Sequence, residues 1–236
     1  MSTSTTKSAF AAGFRDGLPF LLVALPFAML FGVVATEAGL PLVQIMVMTT
    51  LVIAGAAQFA ALQLMFDDAG LWLVVAGALA VNLRMAMYSA SLVPYLGAAP
   101  LWQRACAAYL LFDQPYALSA VRFESDPEMS VPERMAYFFG CVVHLAPVWV
   151  AGTALGALLG ETIPDTLALD FVLPLTFIAL VAPMLKTLAH VVAAVVSVVA
   201  ALILAGLPAG LGLLIAAGLA MICGAVTETW LEGRRP

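Results

Sequence analysis

The run GLPFLLVALPFAMLFGVVAT, Gly17–Thr36, contains no Asp, Glu, Lys or Arg and is bounded by Asp16 and Glu37. An α-helix needs about 20 mostly apolar residues to cross the hydrocarbon core of a bilayer, because each residue adds only about 1.5 Å along the helix axis. Gly17–Thr36 has this length. Long runs of the same kind recur at Ala38–Phe66, Met135–Gly160 and Thr187–Thr227. The chain is therefore predicted to cross a membrane several times.

The composition of the whole chain leads to the same class. Hydrophobic residues make up 64% of the sequence and charged residues only 10%, and the mean hydropathy is +1.09. Soluble domains are about 45–50% apolar and roughly 25% charged. The formal net charge of -5 comes without a basic patch, so no nucleic-acid partner is predicted.

We predict an all-α fold, a polytopic bundle of about eight transmembrane helices. Clusters of Gly, Pro and charged residues separate the segments. The alternative is seven spans plus a broken or re-entrant segment, because Asp113 and Pro115 interrupt the fourth span. The predicted spans are 14–36, 41–66, 69–96, 104–122, 134–159, 168–184, 187–205 and 209–228.

The distribution of basic residues predicts that both termini are cytoplasmic, since cytoplasmic loops carry an excess of Lys and Arg. With the N-terminus inside, the outer loops contain only Arg104. Arg84 falls within a span and is not counted. The inner segments contain Lys7, Arg15, Arg122, Arg134, Lys186, Arg234 and Arg235.

The domain organisation follows from these boundaries. Residues 1–13 are expected to be a flexible cytoplasmic N-terminus, 14–228 a single transmembrane domain, and 229–236 a cytoplasmic tail. Two similar stretches, GLPFLLVALPFAMLFG and GCVVHLAPVWVAGTALG, each carry a Gly, a mid-span Pro and a second Gly. They indicate an internal repeat of 14–122 and 134–228, although this pattern also arises by chance in membrane helices.

Two ionisable residues at membrane depth are the strongest functional candidates. Arg84 and Asp113 are both flanked by apolar residues, and such a position costs about 2.5–3.5 kcal/mol on insertion scales. One interpretation is a structural ion pair inside the bundle. The other is a site for a zwitterion, in which Arg84 binds a carboxylate and Asp113 binds an ammonium group or carries a proton.

Polar neighbours of these two residues are further candidates for substrate binding. Asn82 lies two residues before Arg84, and Tyr88 lies four residues after it, on the same face of a helix. Gln114 follows Asp113, and Pro115 disfavours a regular helix there. A distortion would free backbone carbonyls that can serve as ligands in a cavity.

The stretch AGAAQFAALQ, Ala54–Gln63, raises a separate question because it places two amides in an apolar run. The small residues at its start allow close approach of another helix. A break there would expose backbone N–H groups suited to a substrate carboxylate. We expect Gln58 and Phe59 to line a binding pocket, with Leu62 or Phe112 as further candidates, and Gln63 to make an interhelical hydrogen bond.

The histidine, the cysteines and the absence of enzyme motifs give weaker indications of function. His144 is a candidate proton relay, although an interior histidine with satisfied hydrogen bonds is an alternative. The three cysteines are dispersed and form no C-x-x-C pair, so neither a metal site nor a cofactor is predicted. The sequence has no H-E-x-x-H and no G-x-S-x-G motif, and no enzyme is predicted.

The order of four stretches resembles the AzlC/YgaZ family, the large subunits of bacterial branched-chain amino-acid exporters. The resemblance covers about Phe14–Ile222. Its strongest parts are patterns of the form G-A-x-Q-F, N-x-R-x-x-x-Y-S and F-D-Q/E-x-x-A. Gln114 stands where an acidic residue often follows the Asp, and this departure leaves the coupling residue open. The four stretches are AGAAQF, NLRMAMYSASLVPYL, LLFDQPYALS and GALLGETIPDTLALDFVLPLTFIAL.

The resemblance implies a multi-pass carrier of the bacterial inner membrane that exports valine, leucine, isoleucine or methionine. It implies coupling to the proton gradient, with Asp113 and His144 as candidates, and a small hydrophobic partner subunit of the AzlD/YgaH type. The alternatives are a transporter of another small solute, a non-transporting assembly or sensor subunit, and a channel.

Overall fold

A computed structural model describes residues 5–160, 185–207 and 211–233. All regular structure within these ranges is helical. The predicted span 168–184 lies outside the described residues. The described helices, in chain order, are α1 (Thr6–Gly17), α2 (Leu21–Glu37), α3 (Leu42–Leu51), α4 (Gly55–Phe66), α5 (Leu71–Leu96), α6 (Leu101–Tyr109), α7 (Asp113–Ser125), α8 (Val131–Gly160), α9 (Leu188–Ile203) and α10 (Leu211–Glu232).

Three continuous helical segments of the described chain are long and apolar enough to cross a membrane. They are Thr6–Glu37, Leu71–Leu96 and Val131–Gly160. The first consists of α1 and α2 joined by a 3₁₀ turn at Leu18–Phe20. Pro19 lies in that turn, where its missing N–H group is best tolerated.

The described residues divide into two compact units. The first contains residues 5–59 and 78–160, and the second contains 60–77 and the described residues after 184. In the second unit α9 packs against α10, with Gly224 facing Ala193 and Ala189. The candidate site residues belong to the first unit, except Leu62, which lies in the second.

The N-terminal segment differs from the expectation. Helix α1 begins at Thr6, well before residue 14, because Thr5 and Ser8 form a capping box in which each side chain bonds the other residue's backbone N–H. Ala9 and Gly13 are buried on this helix. Residues 6–13 are therefore part of the first long helical segment.

Two of the predicted spans are broken. The span 41–66 consists of α3 and α4, separated by residues 52–54, and the span 104–122 consists of α6 and α7, separated by residues 110–112. At about 1.5 Å per residue, none of these four helices reaches the ~30 Å of a hydrocarbon core. Each break has a local cause in the sequence.

The first break follows a run of β-branched residues. Thr49, Thr50, Val52 and Ile53 restrict side-chain rotamers and lower helix propensity. The second break is caused by Pro115, whose ring in a continuous helix would clash with the carbonyl four residues earlier, at Leu111. The chain restarts at Asp113, which leaves Pro115 in the first turn, where no hydrogen bond is lost.

The centre of the first unit is a parallel pair formed by α1–α2 and α8. Gly32 lies against the carbonyl of Thr153, and Gly156 lies against that of Met29. At the other end Gly13 lies against Tyr137, and Gly140 against Phe10. These glycines permit backbone-to-backbone contact, which is how small residues bring membrane helices together.

A buried hydrogen bond joins α3 to this pair. The hydroxyl groups of Thr49 and Thr153 are 3.1 Å apart, and both residues are fully buried. Each hydroxyl satisfies the other in an otherwise apolar contact.

We expect Thr153→Val to lower the free energy of unfolding by about 1–3 kcal/mol, because the Thr49 hydroxyl would remain buried without a partner. The double variant Thr49→Val/Thr153→Val should lose less than the sum of the two single variants. Unfolding of the purified protein in detergent measures both effects. Additive losses would show that the two hydroxyl groups do not interact.

Candidate functional site

Arg84 and Asp113 form an ion pair between α5 and α7. The Arg84 Nη1 atom lies 3.1 Å from the Asp113 Oδ2 atom, and their side chains are 23% and 43% exposed. The pair is therefore partly buried but remains accessible. Asp113 is the first residue of α7, so its carboxylate lies at the positive end of the helix dipole.

Aromatic residues reinforce this contact. The Tyr88 hydroxyl donates to Asp113 Oδ1 over 3.0 Å, so each carboxylate oxygen has one partner. The Tyr88 ring stacks on Tyr116, with 4.0 Å between the ring centroids. The Tyr116 hydroxyl lies 3.3 Å from the Ser91 hydroxyl. The result is a ladder of polar and aromatic contacts that fixes α7 against α5.

Part of the Arg84 guanidinium is left without a partner. Its Nε atom is buried and has no hydrogen bond among the described residues. A guanidinium can bind a carboxylate through two parallel N–H donors. The contact with Asp113 leaves this capacity partly unused, so an incoming carboxylate could bind Arg84.

The two helix breaks adjoin each other. The hydroxyl of Tyr109, the last residue of α6, donates to the backbone carbonyl of Thr50, close to the end of α3. Since α3 stops at Leu51, this carbonyl lacks its usual helical partner, and Tyr109 replaces it. The starts of α4 and α7 therefore both follow breaks that meet through this bond.

Gln58 lies in the first turn of α4, fully buried. Both atoms of its amide lack a hydrogen-bond partner among the described residues, which is costly for a buried group. The start of α4 packs closely, because Gly55 contacts the rings of Phe27 and Trp149. The amide of Gln58 is thus available to a ligand, but it makes no hydrogen bond to Arg84 or Asp113.

The other predicted residues take different positions. Phe59 is fully buried and stacks on Phe27 with 5.0 Å between centroids. Asn82 is half-buried, with a buried amide oxygen that has no partner within the described ranges. Gln114 is half-buried beside Asp113. Among the described residues Gln63 does not make the interhelical bond that was expected, and it donates instead to Asp67, one turn further along the chain, over 3.4 Å.

His144 lies in the α1–α8 contact. Its ring is 4.8 Å from the ring of Phe14 and faces Gly17, which has no side chain to displace it. Both ring nitrogens are buried without a partner in the described part of the chain. His144 is therefore not hydrogen-bonded to the Arg84–Asp113 pair, and no hydrogen bond from the described ranges satisfies its ring.

Two residues of the site were missed in the sequence. Tyr116 stacks on Tyr88, and Tyr109 joins the two breaks. The spacing of Asp113 and Tyr116, three residues apart on one helix, could have identified Tyr116. Nothing local predicts the Tyr109 contact, because its partner lies far away in the sequence. No cluster of three or more potential metal ligands occurs in the described residues.

These features define a class: an all-helical membrane protein with a partly buried ion pair beside two broken helices. Residues 19–163 match the family model of the AzlC protein, and the chain belongs to the AzlC family. The matched range contains every site residue considered above.

Several known proteins are similar to this chain. An uncharacterized membrane protein of Archaeoglobus fulgidus is 32% identical over 188 residues, which cover 78% of this chain and 80% of the relative. An uncharacterized membrane protein of Helicobacter pylori is 29% identical, over 72% and 75% of the two chains. The inner membrane protein YgaZ of Escherichia coli is 26% identical, over 73% and 72%. No solved structure matches.

Proposed function

We propose that this chain is a secondary transporter subunit of the bacterial inner membrane that exports valine, leucine, isoleucine and methionine. The observation that carries the proposal is the accessible ion pair between Arg84 and Asp113. Charges at membrane depth usually mark a transport pathway. A zwitterionic amino acid carries the same two charges. Its carboxylate matches Arg84, and its ammonium group matches Asp113.

In the proposed cycle, the substrate replaces the internal ion pair. Its carboxylate binds the guanidinium of Arg84, and its ammonium group binds the carboxylate of Asp113. The two protein charges keep a counterion in both states, which avoids the cost of an unpaired buried charge. Tyr88 holds Asp113 in position through its hydrogen bond while Arg84 exchanges partners.

The helix breaks support this proposal. Transporters commonly bind substrate where helices are discontinuous, because free N–H groups at helix starts attract anionic groups. Here two such starts, Gly55 and Asp113, follow breaks joined through Tyr109. Gln58 adds a buried amide without a partner in the described residues. We assign Gln58 to the pocket for the polar end of the substrate.

The paired helices support a repeated architecture. In the glycine contacts between α1–α2 and α8, Gly32 meets Thr153 while Gly156 meets Met29. Exchanging the two helices reproduces this pattern, as a two-fold relation between repeats would. We therefore propose that these helices begin the repeats 14–122 and 134–228. Parallel repeats related by an axis along the membrane normal occur in transporters.

Proton coupling is assigned to Asp113, with His144 as the second candidate. Protonation of Asp113 would weaken its hold on Arg84 and on a substrate ammonium group, so proton uptake and substrate release would be linked. The partner is a small hydrophobic subunit of the AzlD/YgaH type, and the complex is a hetero-oligomer. Both assignments rest on the family resemblance together with the ion pair.

Efflux of radiolabelled leucine tests the proposed function. Cells or proteoliposomes that contain this chain with the small subunit are compared with the same cells or vesicles lacking this chain. The measurement is repeated after the proton gradient has been collapsed. We expect leucine, isoleucine, valine and methionine to leave faster than in the control, and the gradient to be required. Absence of efflux for all four would rule out the assignment and favour another solute, a channel or an assembly subunit.

Tyr88→Phe should lower leucine export about three- to tenfold. The variant loses the hydrogen bond to the Asp113 carboxylate but keeps the ring that stacks on Tyr116. Hydrogen bonds to charged groups contribute about 1.5–3 kcal/mol, and partial exposure reduces this contribution. Tyr95→Phe on the same helix is the control. Equal export rates for the two variants would show that the Tyr88 hydroxyl does not contribute to the substrate site.

A further inference from the structure

A cavity of about 300 Å³ lies between α5, α6 and α8. This volume is at the lower end of the roughly 300–1,000 Å³ typical of small-molecule sites. Among the described residues of its wall, Ser89 and Arg104 carry the polar side chains. The remaining wall is apolar and includes Leu92, Leu96, Ala107, Leu111, Met135 and Phe138.

One stripe of α5 connects the cavity to the ion pair. Arg84, Tyr88, Leu92 and Leu96 are spaced four residues apart, so each lies next to the following one along a single ridge of the helix. The first two contact Asp113, and the last two are buried and line the cavity. The rise from Tyr88 to Leu92 is only about 6 Å along the axis.

The opposite wall also leads to the ion pair. Leu111 lines the cavity and is buried, and it lies within the break that ends at Asp113. Both walls therefore run from an apolar chamber to the charged groups. An amino acid with an apolar side chain is divided in the same way, with charged groups at one end and the apolar side chain at the other.

This inference rests on the proposed function and deepens it. We propose that the cavity receives the side chain of the transported amino acid while its charged end binds at Arg84 and Asp113. Leu111, Met135 and Phe138 set the size of the side chain that is accepted. Leu92, Leu96, Leu111, Met135 and Phe138 offer no partner for a hydroxyl or amide, so polar side chains are disfavoured in this part of the cavity.

The other end of the cavity has a different character. Arg104 is exposed and donates to the carbonyl of Gly97 over 3.3 Å, and Leu101 and Val93 on this side are also exposed. This end opens to the surface of the first unit. A bilayer lipid with an anionic headgroup could occupy it, and the experiment below distinguishes this occupant from the substrate.

Substitutions that change the cavity volume should change substrate preference. Ala107→Leu fills the chamber and should lower export of leucine and methionine at least tenfold relative to valine, because a hydrophobic pocket discriminates by roughly tenfold or more per methylene. Met135→Ala enlarges it and should shift preference towards methionine and phenylalanine. Cys106→Leu is the control, since this exposed neighbour on α6 does not line the cavity.

Chemical labelling gives a second measurement that does not depend on transport. In a background with Cys106→Ala and Cys223→Ala, which leaves only the buried Cys141, a cysteine introduced by Ala107→Cys is reacted with a small maleimide. We expect leucine to slow the reaction at least threefold and glycine to leave it unchanged. Labelling is repeated with and without anionic phospholipid, which would protect the cysteine if lipid were the occupant.

The outcomes separate the two proposals. Opposite shifts of preference in Ala107→Leu and Met135→Ala, with protection by leucine, support the side-chain pocket. Equal loss for all substrates, or protection by lipid and not by leucine, overturns the pocket, while leucine efflux by the wild type keeps the proposed function. If the wild type exports no apolar amino acid, the proposed function fails first.

Discussion

Replacement of Asp113 by Asn is expected to lower leucine export by roughly tenfold to a hundredfold. The variant removes the carboxylate that binds Arg84 over 3.1 Å and accepts from Tyr88. A hydrogen bond to a charged group contributes about 1.5–3 kcal/mol, and the substrate ammonium group would lose its partner. The measurement is efflux of radiolabelled leucine, normalised to the amount of protein in the membrane.

Asp126→Asn is the matched control for this variant. Asp126 lies just past the C-terminal end of α7, pairs with Arg122 over 3.2 Å and has a similar exposure of 38%. We expect export within about twofold of the wild type, since exposed pairs contribute little. Equal effects of the two substitutions would assign Asp113 to structure and remove it from the transport mechanism.

Gly156→Ala is expected to destabilise the folded protein by about 1–3 kcal/mol or more. An added Cβ would overlap the backbone carbonyl of Met29, and neither helix can yield by a side-chain rotation. Overpacking of this kind forces backbone shifts. Thermal unfolding followed by size-exclusion chromatography in detergent measures the loss.

The same substitution at Gly218 provides the comparison. Apart from the helix's own backbone, no atom of the described residues lies within 4 Å of a Cβ added there, and Ala is a better helix former than Gly by about 1 kcal/mol. Gly218→Ala should therefore be neutral or slightly stabilising. If Gly156→Ala were equally harmless, close contact between α2 and α8 would not hold the first unit together.

Much of the architecture follows from the sequence because its causes are local. Two charge-free runs, Gly17–Thr36 and Met135–Gly160, lie within helical segments that are long and apolar enough to cross a membrane. Arg84 and Asp113 stand out because charge at membrane depth is costly. The contact between them depends on tertiary packing. The sequence left open whether they meet, and the 3.1 Å distance answers this question.

The breaks were only partly predictable. Pro115 predicts a distortion near Asp113, but a helix can continue through a proline, as α5 does at Pro94 and α8 at Pro147. Whether the chain bends or breaks depends on partners for the freed backbone groups. At the end of α3 this partner is Tyr109, which comes from another helix and has no local signal.

Gln63 and His144 illustrate a second limit. Gln63 was expected to bond to a neighbouring helix, but it donates to Asp67, a nearer acceptor four residues further along the chain. His144 was predicted as a relay or as an interior residue with satisfied hydrogen bonds, and its nitrogens have no partner among the described residues. Partners of a single polar side chain depend on helix rotation, which hydrophobic patterning fixes only coarsely.

Binding of leucine and of two analogues that each lack one charged group tests whether Arg84 and Asp113 recognise the two ends of the substrate. The purified complex is titrated with leucine, with 3-methylbutylamine, which lacks the carboxylate, and with 4-methylpentanoate, which lacks the ammonium group. If Arg84 and Asp113 form a zwitterion site, leucine binds at least tenfold more tightly than either analogue, and Arg84→Gln removes the preference for leucine over 3-methylbutylamine. If either analogue binds as tightly as leucine, the ion pair does not recognise both ends of the substrate, and Arg84 and Asp113 do not form a zwitterion site.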